Sequence, residues 1–281
     1  ERGIDLVLRK VQLADGRIQV EGDLIDSLTL AYVPDAKPTP LKNGVRLLRQ
    51  LQRRANTLDG SKRNIHYHYD LGNDFYQLWL DEEMSYTCAY FPTREATLEE
   101  AQLAKMEHVC RKVDLRPGQH VIEAGCGWGS LALYMARNHG VTVKAYNISR
   151  EQIAYARERA KREGLEDRVE FVEDDYRTIS EGCDAFVSVG MLEHVGIHQY
   201  RDLGAVIDRS LAKNGRGLIH SIGRVRSEPL SPWIERRIFP GAYPPTITEM
   251  LSILEPWDLS VLDVENLRLH YEMTLRRWLE R

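Results

Sequence analysis

The chain has 281 residues, 43% hydrophobic and 28% charged, with a formal net charge of −4, so one large domain with an extension or two small ones fit and no general affinity for nucleic acid is indicated. Cys88, Cys110, Cys126 and Cys183 form no C-x-x-C pair and no metal-ligand spacing, which argues against a metal site and for a reducing compartment. No apolar run approaches the roughly 18–20 residues that cross a bilayer and no signal-peptide pattern opens the chain, so it reads as soluble and cytoplasmic.

Residues 1–35 suggest short strands over Gly3–Lys10 and Arg17–Gly22 around a turn at Asp15-Gly16. Because the chain opens on Glu1 in mid-pattern, they read as a piece of a longer N-terminal domain. Pro34, Pro38 and Pro40 mark a linker. From Leu41 to Arg63, Lys42, Arg46, Arg49, Arg53, Arg54, Lys62 and Arg63 face a single acid, Asp59. Val45, Leu47, Leu48 and Leu51 fall at helical spacing among them. Such an amphipathic basic helix suits either a membrane surface or the solvated face of a domain helix. His66–Trp79 and Ser85–Phe91 are dense in aromatics and small polar groups. They read as a helix and loop packed on the main domain, or as a lid that excludes water from a cleft. The expected division is therefore 1–63, 64–114 and 115–281.

From Leu115 onward strands and helices alternate. Strands are predicted at 119–125, 141–148, 168–174, 183–190, 216–223 and 259–267. Helices are predicted at 129–138, 150–163, 199–212 and 246–255, with one more starting near His270. Gly140, Gly164, Gly182 and Gly215 punctuate these elements as C-caps do. The alternation predicts an α/β fold, a doubly wound and mostly parallel sheet with ligands beyond the C-terminal ends of its strands.

Residues 121–129 read Val-Ile-Glu-Ala-Gly-Cys-Gly-Trp-Gly, an apolar strand running into three alternate glycines. Gly125, Gly127 and Gly129 let backbone N–H groups approach a ligand closely, and a helix N-terminus follows at Ser130. The Gly-x-Gly-x-Gly spacing, with no phosphate-binding Lys after it, leans away from dinucleotides and toward S-adenosylmethionine. Glu123 ends the strand and Cys126 lies inside the turn. Asn147, Ser149 and Gln152 follow the second strand, and Asp174, Asp175 and Tyr176 the third. Met191–Gly196, with Glu193, follows the fourth strand, and His220-Ser-Ile222 lies near the end of the fifth. The switch region of such a sheet gathers these ends into one cleft. No acid lies between Gly129 and Arg150 to hold ribose hydroxyls, which leaves that task to Asn147, Ser149 or Gln152.

Seven motifs in order now carry a resemblance: His68–Tyr76, Tyr86–Phe91, Glu123–Gly129, Val189–Gly196, His220–Gly223, Ile238–Gly241 and Glu265–Tyr271. From about Ile65 onward the chain resembles the cyclopropane-fatty-acyl-phospholipid synthases and the related mycolic acid cyclopropane synthases. The resemblance implies transfer of a methyl group from S-adenosylmethionine to a cis double bond of a lipid acyl chain, with bicarbonate accepting the proton as the ring closes. It implies Cys88, Glu193, His220, Ile222 (through its backbone) and Tyr271 around the base. Tyr86, Thr87, Gly125, Gly127, Asn147, Gln152, Asp175 and Tyr176 would surround the cofactor. An unsaturated phospholipid acyl chain and an anionic membrane surface are the expected partners, with homodimer formation left open. A methyl branch on the same acyl chain and methylation of a small molecule are the alternatives. Three departures stand out: Glu123 where the family usually has Asp, Ser130 where Gly is common, and Ser221 where Thr is usual. The family also continues beyond Arg281, with a helix and a last antiparallel strand, so a gap in the sheet is expected.

Overall fold

A computed structural model describes residues 72–281, apart from Pro229. The expected N-terminal strands, the linker, the basic stretch 41–63 and residues 66–71 lie outside the described residues. Two helices come first, α1 (Asn73–Gln77) and α2 (Leu98–Lys112). Thr97 opens α2 with a capping box, its side chain accepting from the Glu100 N–H while Glu100 reaches back to the Thr97 N–H.

The alternating half follows as β1 (His120–Ala124), α3 (Ser130–His139), β2 (Thr142–Asn147), α4 (Arg150–Arg162), β3 (Val169–Glu173) and β4 (Cys183–Val189). It continues with α5 (Leu192–Val195), α6 (Tyr200–Ser210) and β5 (Leu211–His220), then α7 (Pro232–Arg237), α8 (Ile247–Leu251) and α9 (Arg268–Leu279). The five strands pair in parallel in the order β3-β2-β1-β4-β5. The order reverses at β1, which places the switch point at the glycine turn.

Successive β1 residues feed opposite faces of the sheet. Val121 joins a core with Met106, Leu133, Val143, Phe171 and Val187. Ile122 joins a second core with Phe186, Leu192, Leu203, Ile207 and Ile253. Both faces are thus covered around β1, as a parallel sheet requires, while β5 is exposed or half-buried along its length.

Three boundaries differ from the sequence reading. α6 stops at Ser210 and β5 begins at once at Leu211, its register shifting against β4 between Cys183 and Ala185. The expected helix 246–255 is one short helix, α8, capped by Thr246 and Glu249 and followed by turns. The expected strand 259–267 is not a strand. Its acids serve α2 instead: Asp263 and Glu265 pair with Lys112, and Glu265 also meets His108. Val261, Leu262 and Val264 remain exposed, so the alternation there follows charge pairing and not a ladder.

Candidate active site

The glycine turn is built by backbone constraints. Gly125, Gly127 and Gly129 have φ of +86°, +55° and +84°, the left-handed region that penalises any Cβ. A Cβ on Gly125 would lie 2.7 Å from the Met191 Cβ, and one on Gly129 2.6 Å from the Phe171 ring. A Cβ on Gly127 would meet nothing within 4 Å. Gly125 and Gly129 therefore satisfy packing, whereas Gly127 opens onto free space. The Gly125 and Cys126 N–H groups both donate to the Tyr146 carbonyl, at 2.8 and 3.1 Å, which ties the turn to β2.

At the strand ends, Asn147 Nδ2 donates to the Gly127 carbonyl at 3.3 Å and to Gln152 Oε1 at 2.8 Å. Ser149 caps α4, its hydroxyl accepting from the Gln152 N–H. Asp175 is buried and takes two hydrogen bonds from the Arg177 guanidinium, at 2.7 and 2.8 Å. Gly125, Asn147, Asp175, Tyr176, Met191 and His194 line a cavity of about 50 Å³. The cleft is partly open to solvent, at the place where a nucleoside cofactor is expected. The donor set still fits such a cofactor, since Glu123 Oε2 and the Tyr176 hydroxyl are buried with no partner. Burial pushes the Glu123 carboxyl up to about 8, with Lys105 and the Ala132 N–H pulling it down. A larger depression of about 410 Å³, lined by Gln77, Leu80, Asp81 and Tyr155 among others, holds none of the residues expected at the site.

The facing wall is the segment 85–91, which has no regular secondary structure. Asp81 Oδ1 accepts from the Ser85 N–H at 2.7 Å. Gln102 Nε2 donates to the Ser85 and Thr87 carbonyls at 3.2 and 2.9 Å, and Lys105 Nζ to Thr87 Oγ1 at 3.0 Å. The Ala89 N–H donates to Thr274 Oγ1 at 3.0 Å and the Phe91 N–H to His270 Nδ1 at 2.9 Å. Aromatic rings close over it: Tyr86 lies 5.6 Å from Tyr76, 5.4 Å from Trp278 and 6.5 Å from Phe239.

The residues expected around the base lie on α5, at and just past the end of β5, on α9 and in segment 85–91. Glu193, on α5, is buried; its Oε1 accepts from the Ile222 N–H at 2.6 Å and its Oε2 has no partner. Burial holds the Glu193 carboxyl above the usual carboxylate range. The Tyr271 phenol is raised by burial, and the charges that act on it are those of Tyr86, Glu193 and Cys88. The Cys88 thiol is pushed up to about 11 by burial. His220, at the end of β5, is lowered to about 4 by burial and then by Lys105, with His108 lowering it and Glu265 raising it. Charge thus links Tyr271 to Glu193 and Cys88, and His220 to Lys105, His108 and Glu265. The Ile222 N–H is engaged by Glu193 rather than free for an added anion.

The sequence reading missed Gln102 and Lys105. They occupy the apolar stripe of α2 alongside Leu98, Ala101, Met106 and Val109, and two polar residues in such a stripe are the signal that could have found them. Among the described residues, no three His, Cys, Asp or Glu side chains converge to hold a metal.

Residues 56–281 match the family described as mycolic acid cyclopropane synthetase. A Pseudomonas putida protein named "Probable fatty acid methyltransferase" is 37% identical over 280 residues, covering 95% of this chain and 68% of its own length. The Escherichia coli (strain K12) cyclopropane-fatty-acyl-phospholipid synthase is 42% identical over 215 residues, 76% of this chain and 55% of that protein. The chain thus spans little more than half to two thirds of these relatives. The solved structure of the cyclopropane synthase MmaA2 from Mycobacterium tuberculosis superimposes with a TM-score of 0.74 at 30% identity, over 78% of this chain and 82% of that one. Mycolic acid cyclopropane synthase CmaA1, solved in complex with SAH and CTAB, gives 0.73 at 29% identity, over 77% and 81%. With a five-stranded parallel sheet that opens on a Gly-x-Gly-x-Gly turn, the chain belongs to the mycolic acid cyclopropane synthetase family of S-adenosylmethionine-dependent methyltransferases.

Proposed function

We propose that the protein transfers a methyl group from S-adenosylmethionine to a cis double bond of a phospholipid acyl chain and closes a cyclopropane ring, with bicarbonate as proton acceptor. The observation that carries this reading is the buried Glu193 carboxyl, whose Oε1 takes the Ile222 N–H, whose Oε2 is buried without a bond at hydrogen-bond distance, and which Ser221 and Ile222 favour in its charged form against burial. The residues at the glycine turn and strand ends, Tyr86, Thr87, Glu123, Gly125, Cys126, Gly127, Gly129, Asn147, Ser149, Gln152, Asp175 and Tyr176, would hold the cofactor. Bound there, it supplies an electrophilic methyl group.

The other wall handles the proton. A carboxyl raised by burial, as Glu193 is, is shifted toward its protonated form and offers an O–H donor to an anion instead of a like charge. Cys88 and Tyr271, both raised, stay neutral at pH 7 and add weakly polar donors. His220 is neutral and can accept a proton at a ring nitrogen. The rings of Tyr76, Trp79, Tyr86 and Trp278 shield the cleft from water, which would otherwise trap a carbocation on the acyl chain.

Among the described residues no helix is long and apolar enough to cross a membrane. Lipid would be met from the cytoplasmic side, and the seven basic residues between Lys42 and Arg63 supply the attraction to an anionic surface, each contributing about 1 kcal/mol. A methyl branch on the same chain is the second reading, and the name of the Pseudomonas putida relative, a fatty acid methyltransferase, is compatible with either product. Mass spectrometry of acyl chains after expression in a host rich in monounsaturated phospholipid tests both. A gain of one CH₂ per chain is expected, as a ring or as a branch, and unchanged acyl chains refute both.

A further inference from the structure

α2 presents an anomaly that packing does not explain. Lys105 is 4% exposed and Gln102 fully buried, level with Leu98, Ala101, Met106 and Val109 on the same stripe. Burying an ammonium costs several kcal/mol unless its surroundings compensate. Here they do so in part: Nζ donates to Thr87 Oγ1 at 3.0 Å and Asp81 and Glu123 favour the charged form, while burial outweighs them and holds the ammonium below its ordinary range. The same ammonium acts on His220, which also feels His108 and Glu265. One buried cation therefore bonds the segment that carries Tyr86, Thr87 and Cys88, and its charge reaches the carboxyl that leads into the glycine turn and the imidazole at the end of β5.

We propose that Lys105 is a positioning residue that couples the cofactor pocket to the proton-abstraction site, acting through Thr87 and through its charge on Glu123 and His220. Its hydrogen bond fixes Thr87 against β4, where the Thr87 Cγ2 sits 2.6 Å from the place a Gly190 Cβ would take. Its charge favours the ionised form of Glu123, the form that attracts a cationic cofactor, and opposes a second positive charge on His220. Gln102, one helical turn away, holds the Ser85 and Thr87 carbonyls, so the pair fixes both position and protonation. The consequence for turnover rests on the methyl-transfer reading above; the electrostatic part does not.

The test is an NMR pH titration of the histidine imidazoles in the full chain, with His220→Asn identifying the His220 signal. In Lys105→Met the His220 pKa should rise by about one unit, the low end of what a nearby like charge imposes. Lys105→Arg keeps the charge and should leave the titration where the unaltered protein has it, as should Thr87→Val. Loss of Lys105 should raise the Glu123 carboxyl by about one unit as well, and calorimetry should then find S-adenosylmethionine bound about tenfold more weakly to Lys105→Met. A His220 titration that superimposes on that of the unaltered protein overturns the proposal. So does an equal shift in Lys105→Arg, which would assign the effect to packing. Should Lys105→Met fail to fold, Lys105→Gln, neutral and still able to bond Thr87, gives the same reading. A titration that moves as expected in a protein that forms no methylated lipid leaves Lys105 in its role and removes the reaction.

Discussion

The two walls of the cleft are built by opposite means. The glycine turn is fixed by its own backbone: three positive φ values, two N–H groups on one β2 carbonyl, and neighbours that leave no space for a Cβ at Gly125 and Gly129. Segment 85–91 has no ladder and no helix, and is held by side chains sent from elsewhere: Asp81, Gln102 and Lys105 before and on α2, His270 and Thr274 on α9. A wall made by backbone fails when atoms are added to it. A wall made by side chains fails when atoms are taken away. The first suits a cofactor common to many chemistries, while the second can be re-equipped one residue at a time, which is how one fold serves different reactions.

The largest expected effect separates chemistry from binding across the cleft. Glu193→Gln and His220→Ala should lower turnover by on the order of 10²–10⁴-fold, the usual loss when a positioned acid or base is removed. Calorimetry should find their affinity for S-adenosylmethionine nearly unchanged. A fall in affinity matching the fall in rate would merge the two walls into one and break the comparison.

The next effects concern the turn itself. Gly129→Ala places a methyl against the Phe171 ring and the Ala156 Cβ at a positive φ, and should cost roughly 3 kcal/mol of stability in a urea titration. Gly127→Ala meets open space, so only about 1 kcal/mol of backbone strain is expected, while S-adenosylmethionine binding should be lost. Equal destabilisation by the two would show that Gly127 is a packing residue. On the other wall, Gln102→Leu strips the donor from two carbonyls and should cost about 2 kcal/mol. Hydrogen exchange should then speed up across Ser85–Phe91 and stay slow at Gly125 and Cys126.

What could be read in advance follows the same division. The turn, β1 to β4 and the helices α3 and α4 announce themselves locally, because apolar runs, alternate glycines and caps such as Ser149 lie within a few residues of what they form. β5 was placed late because α6 runs into it without a turn residue between Ser210 and Leu211. Residues 259–267 alternate as a strand does, yet their acids answer Lys112 and His108, more than a hundred residues earlier in the chain. Lys105 was invisible for a similar reason: Thr87, which it bonds, and Asp81, Glu123 and His220, which its charge reaches, come from four separate stretches. Cys88 and Tyr271 entered through resemblance alone, since nothing near either one marks it as part of a site.

The smallest expected effect tests how firmly the misread stretch is attached. Where a sixth strand was expected, residues 259–267 reach α2 through Lys112 with Asp263 and Glu265, the latter at 2.8 Å, and through His108 with Glu265 at 2.7 Å. The Asp263 carboxylate is 62% exposed and Glu265 33%, so water screens both pairs. Lys112→Gln should therefore change stability by less than about 1 kcal/mol, and the difference should vanish in roughly 1 M salt, where charges are screened beyond about 3 Å. The pH dependence has a definite sign. Burial raises the Glu265 carboxyl, but Lys112 and His108 outweigh it and hold the group below its ordinary 4.5. A carboxyl lowered on folding contributes stability that is complete above the unfolded pKa and lost as pH falls through the folded one. The difference between Lys112→Gln and the unaltered protein should thus be present at pH 7 and fade below about pH 4. A loss of several kcal/mol that survives high salt would instead mean that this segment is fixed by packing, as the glycine turn is, and that its charges are incidental.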